Sequence, residues 1–184
     1  MLTLFHDFTS PASAVAVARL QRLADEGIDV MFHGFEAIGI DLTVPVTSDV
    51  VAELASVERE ATAEGLTLAR PAALPPTGLA HVVTGVAEAD NRGAAWRTAV
   101  YRSFWRDGAD LADRDVLVGI AASARVDVER TRAALDDRVA LAAVRRRTAE
   151  LRGEGVGGVP TLLAHRTLVP GLLPEADLRA MILG

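Results

Sequence analysis

The sequence predicts an α/β domain interrupted by an all-α insertion. Three observations lead there. The first residues read as strand, helix, strand; the last read as helix, strand, turn, strand, helix. Between them lies a long alanine-, arginine- and glutamate-rich stretch with helical periodicity and no internal repeat. At 184 residues, half of them hydrophobic and 24% charged, the chain has the composition of a soluble globular protein. It is long enough to bury a core without disulfides or metals.

Leu2 to Phe8 is a short apolar run rich in strand formers, ending at Thr9-Ser10-Pro11. Ser10 suits an N-cap and Pro11 the first helical position, where a missing N–H costs nothing. Apolar residues then recur at helical spacing from Ala12 to Glu26, and Gly27 offers a stop. Ile28 to Phe35 reads as a second strand, so the head favours a parallel crossover unit.

About four helices are expected between Thr47 and Asp137. Ser48 to Gly65, Thr77 to Asp90 and Gly93 to Asp107 are the longer ones, and Asp113 to Ala124 and Asp127 to Asp136 are shorter pieces. A further helix runs from Asp137 to Arg152, followed by the glycine-rich approach Gly153 to Pro160. Thr161 to Ala164 is then a strand, Arg166-Thr167 a turn, Leu168-Val169 a strand and Pro174 to Leu183 a closing helix. Residues 1–45 and 138–184 are therefore expected to form the α/β domain, and 46–137 the helical insertion.

Composition excludes several chemistries. There is no cysteine, which removes thiolate nucleophiles, CxxC redox motifs and thiolate metal sites. There is no lysine either, so Schiff-base chemistry and a phosphate-binding lysine are absent. With a net charge of -6 and no concentrated basic face, nucleic-acid binding is not expected. Arg145-Arg146-Arg147 is read as a solvated helix face. The four histidines are scattered without ligand spacing, so no metal site is expected. No Gly-x-Ser-x-Gly elbow supports a serine hydrolase. No secretory leader pattern and no apolar run of about 20 residues is present, so membrane insertion is not expected and a cytoplasmic location is.

Two motifs carry the functional reading: Ser10-Pro11-Ala12-Ser13 at a strand-to-helix junction, and Gly158-Val159-Pro160-Thr161 entering a strand near the other end. With Asp7-Phe8-Thr9 before the first motif, they belong to a longer pattern. It includes Pro76-Thr77-Gly78-Leu79-Ala80-His81, Phe104-Trp105-Arg106-Asp107-Gly108-Ala109-Asp110-Leu111, and Val169-Pro170-Gly171-Leu172-Leu173-Pro174. On these segments the chain resembles the DsbA-like family of the thioredoxin fold, nearest its FrnE-type branch. That branch is related to the kappa-class glutathione transferases and 2-hydroxychromene-2-carboxylate isomerases. The resemblance implies a thioredoxin fold with a helical insertion, a cis bond before Pro160, and a cleft formed by the two motifs.

FrnE-type members carry Cys-x-x-Cys where this chain has Ser10 and Ser13, so the resemblance does not extend to dithiol chemistry. The kappa transferases and chromene carboxylate isomerases instead have a serine at the position of Ser10, which hydrogen-bonds the thiol of glutathione. Such a bond to a thiolate, about 1.5–3 kcal/mol, lowers a free thiol near 8.5 to about 7. Ala12 stands where those families have an aromatic residue. Leu172 to Asp177 replaces the pattern that holds the glutamyl end of glutathione.

Ser10 is thus the candidate catalytic residue, and Pro11, Ser13, Val159, Pro160 and Trp105 the candidate ligand contacts. Read without the family, Ser10-Pro11 is ordinary capping, Ser13 a helix hydroxyl, and Trp96, Val100 and Phe104 the core stripe of the insertion. Two functions stay open. One is a non-redox isomerase or transferase acting on a small aromatic substrate, with glutathione or another low-molecular-weight thiol as the only cofactor implied. The other is a redox-inert peptide- or partner-binding protein, or an inactive paralogue. Relatives imply a homodimer.

Overall fold

A computed structural model describes residues 1–183. β1 (Leu2–His6) is buried along its whole length and sits inside a four-stranded sheet of order β2-β1-β3-β4. β2 (Val30–Gly34) pairs with it in parallel, Leu2 opposite Val30 and His6 opposite Gly34. The crossover is α1 (Pro11–Asp25). β3 (Thr161–Ala164) pairs antiparallel to β1 on its other side, and β4 (Thr167–Pro170) closes that edge as a hairpin.

Between β2 and β3 run α2 (Ser48–Ala63), α3 (Gly78–Ala89), α4 (Gly93–Trp105), α5 (Arg114–Ser123), α6 (Val128–Asp136) and α7 (Arg138–Gly153). The last helix is α8 (Glu175–Leu183). Several starts are written in the residues. Thr47, Asp113, Asp127 and Asp137 each accept a backbone N–H from the first turn of the helix they precede.

Strand alternation splits the apolar residues between two faces. Leu2 and Leu4 join α1, α3, α4 and α5 in one core that includes Trp96, Val100, Phe104, Trp105 and Leu117. Phe5, facing the other way, packs with Phe35, Leu151 and Val156 under the end of α7. α2 rests on α1 through Val57 and Ala61 against Ala12 and Val15. The predicted core stripe of α4 is buried, with Trp96 and Val100 at 0% and Phe104 at 2% exposure.

Three local expectations are corrected. β1 ends at His6, not Phe8, because the Asp7 carboxylate captures the Phe8 N–H at 2.7 Å and turns the chain. The hairpin turn is His165-Arg166, with Thr167 already paired to Ala164. Both turn residues have positive φ (47° and 66°), as a two-residue turn matched to the strand twist requires. Finally, Arg145 does not belong to a solvated face. Its guanidinium reaches Glu36, whose side chain is 1% exposed, at 3.2 Å, and also pairs with Asp41.

Candidate functional site

Ser10 caps α1. Its backbone is extended (φ -94°, ψ 120°), and its Oγ accepts the Ser13 N–H at 3.1 Å. Pro11 takes the first helical position, and Pro11, Ala12 and Ser13 are buried while Ser10 is half-buried. Ser13 Oγ accepts the Asp7 N–H at 3.4 Å, so its oxygen is turned inward to the strand end. The Ser10 hydroxyl hydrogen, by contrast, has no protein acceptor among the described residues. A half-buried hydroxyl at a helix N-terminus with its own donor free is suited to holding an anion or a thiolate.

The register of β3 against β1 brings the second motif to the same end of the sheet. Phe5 lies opposite Thr161, so Pro160 and Val159 come level with the end of β1, where Asp7 to Ser10 lead into α1. The Val159–Pro160 peptide is cis. Thr161 Oγ1 donates to the Gly158 carbonyl at 2.7 Å and Gly171 N–H to the Pro160 carbonyl at 2.8 Å, which fixes the turn on both sides. The peptide groups of Val159 itself have no hydrogen-bond partner among the described residues. Two cavities of about 660 and 670 Å³ lie elsewhere in the molecule, and neither is lined by Ser10 or Pro160.

Behind the helix start lies a buried polar network that sequence reading did not find. The Asp7 carboxylate is 0% exposed and accepts from Phe8 N–H at 2.7 Å and Ala37 N–H at 2.8 Å, with His81 Nε2 at 3.2 Å. Tyr101 donates its hydroxyl hydrogen to the Asp7 carbonyl at 3.0 Å. Having spent its one hydrogen there, Tyr101 Oη is an acceptor for His6 Nδ1 at 2.9 Å. His6 is therefore the Nδ1–H tautomer with a bare, buried Nε2. Burial first, then the neighbouring His81, Arg97 and His33, pushes its pKa well below the ordinary 6.5. Burial likewise pushes the Tyr101 phenol up. His81 stacks on Phe8 at 4.8 Å, and its link to Asp7 spans 74 residues that no local pattern bridges.

Trp105 belongs to this inner layer. It is 1% exposed, and its indole N–H donates to the Phe8 carbonyl at 3.0 Å. It braces the chain ahead of Ser10 from within, and the structure does not place it on an open wall. Ser10, Pro11, Val159 and Pro160 are brought to one end of the sheet; Ser13 and Trp105 lie beneath.

Over residues 1–182 the sequence matches the family model described as the DsbA-like thioredoxin domain. The chain belongs to the DsbA-like thioredoxin domain family. Solved structures agree on the fold. A probable DsbA oxidoreductase from Streptomyces coelicolor is 24% identical, with TM-score 0.82, covering 98% of this chain and 87% of that one. A 2-hydroxychromene-2-carboxylate isomerase is 21% identical, with TM-score 0.78 and coverage of 98% and 91%. The cytosolic disulfide reductase DsbM from Pseudomonas aeruginosa, solved with GSH, is 23% identical, with TM-score 0.68 and coverage of 99% and 96%. No curated protein matches the chain in sequence. Without a cysteine, this member of the DsbA-like family lacks the thiol pair that disulfide exchange requires. Among the described residues no helix is long and apolar enough to cross a membrane.

Proposed function

We propose that this DsbA-like chain binds a small thiol, glutathione or a similar low-molecular-weight one, across Ser10 and the Val159-Pro160 turn, and acts as a non-redox isomerase or transferase. The observation that carries the reading is the Ser10 hydroxyl. Its oxygen is committed to Ser13 N–H, and its hydrogen is free to donate at the positive end of α1. A donated hydrogen bond to a thiolate stabilises the charged form by about 1.5–3 kcal/mol, which keeps a bound thiol ionised near neutral pH. Val159 adds an unpaired backbone N–H and carbonyl that suit a peptide-like ligand such as glutathione. The fold shared with an isomerase and with a reductase solved with GSH is consistent with this use of the cleft.

Thermal-shift titration with glutathione, other small thiols and aromatic carboxylates tests it. Saturation at 100 times the dissociation constant adds about 2.7 kcal/mol, or about 5–10 °C for a protein of this size. Ser10→Gly retains most of the cap's stabilisation and removes the hydroxyl, so it should fold normally and lose the thiol-dependent shift. A thiol-dependent shift that survives Ser10→Gly, or none with any thiol, removes the proposal. In the latter case the open Val159 peptide groups favour the second reading, a redox-inert protein that holds an extended peptide.

A further inference from the structure

The open edge of β2 faces a cavity that the Ser10 site does not use. It encloses about 660 Å³ and is walled by α1, all of β2, α3, α4 and α7. β2 is an outer strand of the sheet. The Leu2 N–H bonds the Asp29 carbonyl and the Phe35 N–H bonds the His6 carbonyl, so odd-numbered residues of this segment turn their peptide groups toward β1. Alternation then points those of Val30, Phe32 and Gly34 outward, toward the cavity. Among the described residues no protein group pairs with them. At Gly34 the edge is covered by the His81 ring, which fills the space a Cβ would need. The open stretch is short, Val30 to Phe32, which suits a small molecule and stops a peptide strand from continuing along the edge.

The cavity also holds a buried guanidinium with a spare donor. Arg97 is 5% exposed and lies with its guanidinium 4.1 Å from the centre of the Phe32 ring. It pairs with Glu88, donates to Gln21 Oε1 at 3.2 Å, and keeps its Nε–H without a partner. Half-buried His33 and the rim residue Arg147 line the same space, where Glu88 is the sole carboxylate. Glu88 offsets the charge of Arg97, and Arg147 pairs at the rim with Glu150 and Glu154, so what this wall offers a ligand is the unpartnered Arg97 Nε–H beside the outward N–H groups of β2. Ala24, Ala143 and Val144 supply apolar surface beside it.

We propose that this β2-edge cavity binds a small organic anion, a carboxylate on an aromatic or apolar body, with its charge held by Arg97 and the outward N–H groups of β2. A volume of this order is ordinary for small-molecule sites, which combine apolar walls with a few placed polar groups. The site is separate from the Ser10 cleft and stands whether or not a thiol binds there.

Isothermal titration with 1-naphthoate, and with uncharged 1-naphthamide as its match, tests the assignment. One naphthoate should bind per chain, with naphthamide weaker by about tenfold or more, the worth of a hydrogen-bonded charge. Gly85 lines the cavity, and a Cβ there meets nothing within 4 Å. Leucine is also the better helix former. Gly85→Leu should therefore fold and lose naphthoate binding by about tenfold or more, through occlusion alone. Arg97→Met should erase the preference for the charged ligand. If that variant does not fold, Gly85→Leu still decides. Ser10→Gly should leave naphthoate binding unchanged, which separates this site from the thiol site. Equal affinity for the two ligands, undiminished binding to Gly85→Leu, loss of binding in Ser10→Gly, or no binding at millimolar naphthoate would each overturn it.

Discussion

Asp7 holds together the chain ahead of Ser10 by accepting from Phe8, Ala37 and His81 at once while fully buried. Asp7→Ala leaves two backbone donors and an imidazole without an acceptor. It should destabilise the protein by about 3–5 kcal/mol, read as a loss of denaturant midpoint. A loss under 1 kcal/mol would mean that water replaces the carboxylate. His6 acts through pH. Its folded-state pKa lies well below 6.5, so above about pH 7 folded and unfolded chains bind the same number of protons at this residue. As pH falls below 6.5, the unfolded chain takes up a proton that the folded one refuses. Stability should then fall by up to about 1.4 kcal/mol per pH unit from this residue. His33 is depressed in the same direction and adds to the slope. Urea titrations at pH 7.5 and 5.5 measure it, and His6→Asn should flatten part of the difference. A protein equally stable at both pH values would contradict the buried neutral imidazole.

At the scale of single elements, three consecutive arginines on α7 have different jobs. Arg145 neutralises the buried Glu36 carboxylate, whereas Arg146, 72% exposed, has only Glu150 at 4.0 Å. Arg145→Gln should cost about 2 kcal/mol, the penalty for leaving a buried charge unpaired, moderated by its own partial exposure. Arg146→Gln should cost under about 0.5 kcal/mol. Comparable losses in the two variants would show that Glu36 is solvated. This difference also marks where sequence reading stops. The starts of α1 and α6 were legible because Ser10-Pro11 and Asp127 are local capping signals whose partners lie within one turn. The partner of Arg145 lies 109 residues away, and nothing adjacent in the chain distinguishes it from Arg146. The His165-Arg166 turn was misplaced by one residue because neither side chain advertises a positive φ as glycine or asparagine does.

The molecule as a whole has one large apolar core running from the sheet through α1 into α3, α4 and α5. The segment between β2 and α7 is thus fused to the sheet rather than hung from it. Both tryptophans lie on α4, so fluorescence reports the helical segment, while hydrogen exchange at the β1 amides reports the sheet. Their unfolding transitions should share one midpoint in denaturant, and separated midpoints would show that the insertion unfolds alone. The fold and its order of elements were legible from periodicity and from the two motifs, since both are written along the chain. The candidate site was legible only as its outer half. Ser10 and Val159-Pro160 are local signals, but the layer of His6, Asp7, His81, Tyr101 and Trp105 beneath them is assembled from three separate segments.

Trp105 holds the Phe8 carbonyl two residues before Ser10, and its ring packs edge-on against Phe104 with centroids 4.8 Å apart. An indole so placed is a built-in optical gauge. Any occupant that displaces the backbone ahead of α1 must disturb that N–H···O hydrogen bond and change the polarity around the ring. Its emission wavelength can therefore be followed in an unlabelled protein, with no dye or catalytic turnover needed to register that the cleft has been filled.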